Sequence, residues 1–547
     1  MNKIASYLQS HLNGEVLDSA VAREYFSTDA SVLEQKPSLI VYPRSVNDIR
    51  KVARFSWQLA EKGHLLPITA RGSGTDQTGA AIGKGIIIVF PAHLNKILEL
   101  DTQQKLVRVQ PGVNFKSLQE TLHTHGLFLP PYPASYEYST IGGAIANNTA
   151  GEKSLKYGSM VHWVDKLEVV LSNGELIQTG RLSRKDVEKK KGLTTLEGEL
   201  YRTIDGVEAE YGDVLDAYYA NLRVSKDSIG YDMRDVRRKD GSIDLTPLFV
   251  GSQGTLGIIT EAIVKVAVYE PHTELLVAGF ADVASAVEAV QELRDMDPSA
   301  LEIIDHNLVQ FATKEQGYVF PSELITDDFM PEIILFVEFD EHADRLRHKK
   351  AKKAQRLLAK FTDHVIVSGN MEDQDKLWAL RHSAATVVNY NHSGKVAVPI
   401  IEDVSVPHEK LHDLLDTIYD LFKRHHLSVA VWGHAGDANL HVHPLLDLSK
   451  LTDRQKVFRL MDEYYRLVVK LGGSIAAEHN DGRLRAPFVK LQTGDEMIKL
   501  FEVVKQGFDP HSIMNPGVKV GTDMKQLVDM LRKEYSIAHL SDHLPRT

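Results

Sequence analysis

Apolar positions change their period along the chain, and the changes mark out its elements. Val46, Ile49, Val52, Ala53 and Leu59-Ala60 recur at helical spacing behind Ser45, a helix cap with Asp48 three residues on, and Gly63 ends the run. Leu65-Leu66, Ile86–Val89 and Leu106–Val109 are short apolar runs of strand length, and Phe115–His125 reads as a helix closed by Gly126. Leu167–Leu171, a turn at Ser172-Asn173-Gly174 and Glu175–Thr179 predict a hairpin. Residues 36–180 are therefore a mix of helices and strands.

Residues 181–240 differ. Arg184–Lys191 is a charge run with few strand signals after it, which predicts a solvated helical excursion. Strand signals return at Leu248–Val250 and Gly257–Val268. Near residue 270 a second domain begins, with strands at Glu274–Phe280 and Ile333–Phe339 and helices near 282–294, 342–361 and 409–425. The predicted division is 1–270, 271–500 and a C-terminal segment 501–547. No internal repeat is evident.

With 547 residues, 43% apolar and 25% charged, the chain has the balance of a globular protein of two or three domains. A net charge of −11 argues against a nucleic-acid partner. The absence of cysteine excludes disulfides, thiolate metal sites and a cysteine-held iron–sulfur cluster within this sequence. Residues 1–8 lack the apolar core of a signal peptide, and no stretch is apolar for long enough to span a bilayer. The expectation is a cytoplasmic protein, with peripheral membrane contact and a homodimer left open.

Three small-residue loops bear on chemistry. Pro67–Thr75 carries Arg71-Gly72-Ser73-Gly74-Thr75; Ser139–Gly151 carries Thr140, Gly142, Gly143, Ala146 and Asn147; Gly251–Thr260 carries Gly254, Gly257 and Ile259. Each alone fits a tight turn. Together they suit backbone N–H groups approaching a bound anion. None is a G-x-G-x-x-G turn opening a helix, so a nicotinamide site is not supported.

The late part of the chain offers imidazoles. Val429–Trp432 reads as a strand, Gly433–Ala438 as a loop, and from Asn439 the chain alternates, so Asn439, His441 and His443 share one face. His434 on the loop can fold toward His441. His434, His441 and Glu478 make a two-histidine, one-carboxylate set suited to a divalent metal such as zinc or manganese with an open position. His479 is left as general base, since an imidazole titrates near neutral pH. In extended backbone Glu478 and His479 point apart, one to the metal and one to the substrate. Asp437 reads as a supporting group.

The order Pro-x-x-x-Arg-Gly-x-Gly-Thr at 67–75, Thr-Ile-Gly-Gly at 140–143, Tyr157-Gly158 and Gly-Ser-x-Gly-Thr-Leu-Gly-Ile-Ile-Thr at 251–260 resembles the vanillyl-alcohol-oxidase type of FAD-binding domain. His434-x-Gly-Asp-x-Asn-x-His441, Gly472-Gly473 ahead of Glu478-His479, and Asp509-Pro510 ahead of Asn515-Pro516-Gly517 resemble the FAD-linked D-2-hydroxyacid dehydrogenases. The resemblance spans about residues 24–520.

It implies an α+β fold: a two-lobed FAD-binding domain and an α+β substrate domain with an antiparallel sheet. FAD would lie along Arg71–Thr75, Ser139–Gly151, Tyr157 and Gly254–Ile259, with the tail near Asn515 folding back to it. No histidine lies between Ile68 and Gly85, so FAD is expected to be non-covalent. The resemblance gives His434, His441, Glu478 and His479 the same roles. It makes Arg381, in Leu377–Arg381, the partner of the substrate carboxylate. Lys395 is a weaker candidate for a second anchor, and His443 reads either as a contact that tunes which acid fits or as a structural residue. Tyr390 and His392 lie nearby without a role. The implied activity is oxidation of a small D-2-hydroxyacid, D-lactate-like, with electrons passing to a quinone, a cytochrome or an electron-transfer flavoprotein. Rival readings are an oxygen-using oxidase, a flavin subunit working only beside an iron–sulfur partner, and a metallohydrolase that leaves the flavin loops unexplained. The sequence departs from the family pattern at Ala438 and Asn480, where glycine is common, at Gln253, where glutamate is, and at Val518.

Overall fold

The computed structural model describes residues 2–316, 321–326, 328–382, 391–392 and 394–543. Among these, three larger sheets organise an α+β fold. The first has the strand order Glu15–Leu17, Leu39–Tyr42, Ile86–Val89, Ile68–Arg71; its first pair is antiparallel and the others parallel. Parallel strands are covered on both faces, so Ile86–Val89 is a continuous buried apolar run. The helix Val46–Glu61 packs Ile49, Val52 and Ala53 into the same apolar cluster as Ile68, Ile86 and Ile88. Ser45 accepts from the Asp48 N–H as expected, but the Asp48 carboxylate turns to the N–H groups of Asn13 and Arg44.

The strand expected at Leu65-Leu66 begins instead at Ile68. Pro67 has no N–H to give to a ladder, and Leu65 is exposed. The second sheet is antiparallel, ordered Ile97–Asp101, Leu106–Val109, Ile258–Lys265, Val164–Val170, Leu176–Gln178, and it contains the expected hairpin. Leu248–Val250 is not a strand: Thr246–Phe249 is a short helix with Pro247 in its first turn, where a missing N–H does no harm. The excursion holds two helices, Arg184–Lys191 and Leu196–Asn221.

The third sheet is antiparallel and takes its strands from Glu274 to Leu446. At its centre Ile333–Phe339, Ala300–Asp305, Val429–His434 and Asn439–Leu446 follow one another, every residue buried. Helix Leu411–Arg424 buries Leu411, Leu414, Leu415, Ile418, Leu421 and Phe422, one apolar stripe at helical spacing. Leu440 and Val442 join the main apolar cluster, which leaves Asn439, His441 and His443 for the opposite face. The tail returns to the first sheet: Ile68 N–H donates to Ile513 O (2.7 Å) and Asn515 N–H to Ile68 O (2.8 Å). No helix among the described residues is long and apolar enough to cross a membrane.

Candidate active site

Two adjoining hollows lie where the loops meet. The first is a cleft walled by Arg71–Thr75, Thr140, Gly142, Gly143, Ala146, Asn147, Gly254, Gly257 and Ile259. Its walls are close-packed backbone: a Cβ on Gly72 would come 2.2 Å from Thr140 Oγ1, and Gly74 has a φ of +79°. Ile141–Asn147 is a helix capped by Thr140 whose first N–H groups are used within the protein: Ile141 donates to Val113 O, Gly142 to Pro111 O and Gly143 to Thr140 Oγ1. Arg71 is fully buried. Its Nη1 donates to Thr28 O and Ala81 O, while Nε and Nη2 have no partner among the described residues. A buried guanidinium with unused donors between glycine loops fits the pyrophosphate of a dinucleotide.

The second hollow, of about 330 Å³, shares Thr75, Asp76, Gly143 and Asn147 with the first and is lined by His434, His441, His443, Glu478, His479 and Arg381. Three imidazoles converge on one carboxylate oxygen there. Glu478 Oε1 is 3.0 Å from His434 Nε2, 3.3 Å from His441 Nε2 and 3.6 Å from His479 Nε2. The other ring nitrogens of the first two are taken: His434 Nδ1 lies 2.8 Å from Glu302 Oε1 and His441 Nδ1 3.0 Å from the Glu402 carbonyl. Acceptors at Nδ1 fix the tautomer that turns Nε2 inward, the usual support for a metal-ligating histidine. Potential ligand atoms of His434, His441 and Glu478 lie within 4.8 Å of one another, as do those of Glu402, His441 and His479. The donor set fits a divalent cation.

Charges surrounding this cluster are themselves paired. Arg381 Nε and Nη2 donate to Glu302 Oε2 at 3.0 and 2.7 Å. Lys226 Nζ lies 2.8 Å from Glu478 Oε2 and 3.5 Å from Asp437. Burial raises the Glu478 carboxyl pKa, yet Lys226 and His434 together hold it well below the usual range. Glu402 binds both Arg485 and His479 Nδ1. Burial alone would lower the His479 pKa; the Glu402, Asp403 and Glu478 charges outweigh it and lift it to about 9. His443 is different: burial and the charges of His441 and His479 outweigh the upward pull of Glu402 on its pKa. Burial pushes it down to about 3, so its ring is neutral, with Nδ1 unpaired among the described residues.

The expectation that Glu478 and His479 point apart is corrected. Asp403 Oδ2 accepts the N–H groups of Ala477, Glu478 and His479 (2.8, 2.9 and 2.8 Å), and Asn480 takes a φ of +68°. Three consecutive donors on one oxygen curl the segment, so both side chains enter the same cavity. His434 ends its strand rather than lying on a loop, and its ring stands edge-on to His441 at 5.3 Å.

Other expected residues are scattered. Ser139 and Gly151 line the second hollow, and the Gly151 N–H donates to Glu478 Oε2 at 3.0 Å. Tyr157 lines neither hollow and donates its hydroxyl to Asp340. Asn515 does not line the cleft but braces it, its amide donating to Ala80 O and Gln253 O. Lys395 lies on the strand Lys395–Ala397, where its charge acts on Asp453, and is not brought to the cavity. Tyr390 and the His392 side chain fall outside the described residues. Sequence reasoning missed Lys226, Glu302, Glu402 and Asp403. The acidic pair 402–403 right after the apolar run Ala397–Ile401 was a usable signal; Lys226 had none.

Residues 37–180 match the family model described as FAD binding domain, and residues 270–518 match FAD linked oxidases, C-terminal domain. The chain is 28% identical over 523 residues to the glycolate oxidase subunit GlcD of Bacillus subtilis (strain 168), covering 93% of this chain and 95% of that protein. It is 28% identical over 528 residues to the D-2-hydroxyglutarate dehydrogenase of Escherichia coli (strain K12), covering 94% of this chain but only 51% of the relative. Among solved structures, 4-ethylphenol oxidase from Gulosibacter chungangensis has a TM-score of 0.68 at 16% identity, covering 95% of this chain and 97% of that one. p-Cresol methylhydroxylase has 0.66 at 16%, covering 96% and 97%. These two likenesses concern the fold. The two models stand in chain order and the relatives are of one kind: the chain belongs to the FAD-linked oxidases, as an FAD-dependent oxidoreductase of the D-2-hydroxyacid dehydrogenase and glycolate oxidase type on the vanillyl-alcohol-oxidase fold.

Proposed function

We propose that the protein oxidises a D-2-hydroxyacid to the 2-oxoacid, using non-covalent FAD and a divalent cation, zinc or manganese, held by His434, His441 and Glu478. The observation that carries this is the convergence of three Nε2 atoms on Glu478 Oε1 in a cavity sharing four wall residues with the glycine-loop cleft. Bound FAD supplies the hydride acceptor. The cation would polarise the substrate hydroxyl and oppose the imidazolium form of His479.

The chain's own residues do the rest. Glu402 holds His479 by Nδ1 and turns Nε2 to the cavity, where it takes the hydroxyl proton. Lys226 and the Gly151 N–H hold Glu478 Oε2, so Oε1 stays with the imidazoles. Arg381, fixed by Glu302, presents its charge to the substrate carboxylate. Electrons leave for a quinone, a cytochrome or an electron-transfer flavoprotein. The GlcD relatives are named as subunits, which favours a second arrangement in which this chain turns over within a complex; any cysteine-held iron–sulfur cluster would then lie outside these 547 residues.

The test is anaerobic bleaching of the flavin's visible band by D- and L-2-hydroxyacids before and after chelation. Bleaching by a D-acid, lost with the chelator and restored by zinc or manganese, is expected. Bleaching that survives complete metal removal contradicts the metal role, and none by any hydroxyacid contradicts the reaction.

A further inference from the structure

The match to the oxidase C-terminal domain stops at residue 518, but the fold of the chain does not. Met524–Met530 is a helix, and beyond it the backbone is pinned to the first lobe. Glu34 N–H donates to Met530 O (2.8 Å) and Arg532 N–H to Val32 O (2.9 Å). Arg532 Nη1 donates to Ser31 O (3.1 Å), and the Tyr535 hydroxyl to Ala30 O (2.9 Å). So anchored, the extension sets Tyr535, Ile537 and Leu540 into the wall of the cavity that holds the imidazole cluster. Leu540 is buried there.

The charges of that cavity leave little for a second carboxylate. Among the described lining residues Arg381 is the only arginine or lysine, and it is paired with Glu302. His382 is paired with Glu152 at 3.1 Å. Burial works against the ionised Glu152 carboxyl, but His382, Tyr132 and Arg381 hold it well below the usual range, so it stays an anion in the wall. A second substrate carboxylate would lose its hydration to face an anion and no unmatched cation. An aliphatic side chain would gain burial against Ile537, Leu540 and Trp432.

We propose that the extension 524–543 is the substrate-selecting wall of the site, and that the substrate is a 2-hydroxy monocarboxylic acid with an apolar side chain. This rests on the hydroxyacid reading above. Ile537 and Leu540 contact the side chain of the acid, while its hydroxyl is held at the imidazole cluster and its one carboxylate at Arg381.

The test uses the FAD-loaded full chain and four probes: glycolate, D-lactate, D-2-hydroxy-4-methylpentanoate and D-2-hydroxyglutarate. Anaerobic flavin reduction by the 4-methylpentanoate is expected to exceed that by D-2-hydroxyglutarate in kcat/KM by about a hundredfold. In Ile537→Ala and Leu540→Ala, the ratio of kcat/KM for the 4-methylpentanoate to that for D-lactate is expected to fall about tenfold. Retained FAD absorbance shows that the variants are folded; if either loses FAD, Ile537→Val reads the same ratio with a smaller shift. A preference for D-2-hydroxyglutarate, or a ratio unmoved in FAD-loaded variants, overturns the proposal. Failure of all four acids to reduce the flavin sinks the hydroxyacid reading itself.

Discussion

The two hollows of the site are built from different materials. The cleft is made of backbone: three glycine loops, with one buried arginine. The cavity beside it is made of side chains: imidazoles and carboxylates tied through Glu302, Glu402, Asp403 and Lys226 to partners far away in the chain. A backbone site gives up one side chain at modest loss. In a buried ionic network every member balances another, so removing one leaves a charge without its partner.

Substitutions on the two sides should therefore differ in kind. The largest effect is expected for His479→Ala, which keeps FAD but lowers the rate of flavin reduction by substrate about a thousandfold; stopped-flow bleaching checks it, and an undiminished rate refutes the base. Next is Lys226→Met, which leaves Glu478 buried beside the imidazoles without its cation. A loss of about 3–5 kcal/mol in denaturant unfolding is expected, with weaker holding of Glu478. Arg71→Met sharpens the contrast from the other side. FAD affinity should fall about tenfold or more, measured by release on dilution, while metal content stays as in the parent. The smallest effect is Ala438→Gly. Ala438 has a φ of +48° in the tight turn between the two histidine strands. Relief of that strain offsets the flexibility of glycine, so thermal unfolding should shift by less than about 1 kcal/mol.

The same contrast explains what could be read from sequence. Loop composition announces a backbone site, because glycine, serine and threonine are the residues such loops need; Arg71, Thr140 and Gly254 all lie at the cleft. Ligand types at short spacing announce His434 and His441, since a two-residue period puts His441 and His443 on one face. The supporting charges carry no such mark. Lys226 is 252 residues from Glu478 and sits in a polar stretch after a helix, and Glu302 is 79 residues from Arg381 in an apolar strand. Only tertiary folding brings them in. Ala438, a departure from the expected glycine pattern, takes a left-handed backbone, and Asn480 fills a second such position with a residue that tolerates it. The strand expected at Leu65-Leu66 shows a limit of apolar pattern, because a proline without an N–H, not hydrophobicity, set where pairing begins.

The central claim is that a cation held by His434, His441 and Glu478 sits beside the flavin. Anomalous diffraction at the zinc and manganese edges, from crystals of the FAD-loaded protein, tests it most directly. One peak bound by both Nε2 atoms and the Glu478 carboxylate, next to the isoalloxazine ring, is the expected result. A fully FAD-loaded crystal with no peak there, from protein that still oxidises hydroxyacid, would contradict it.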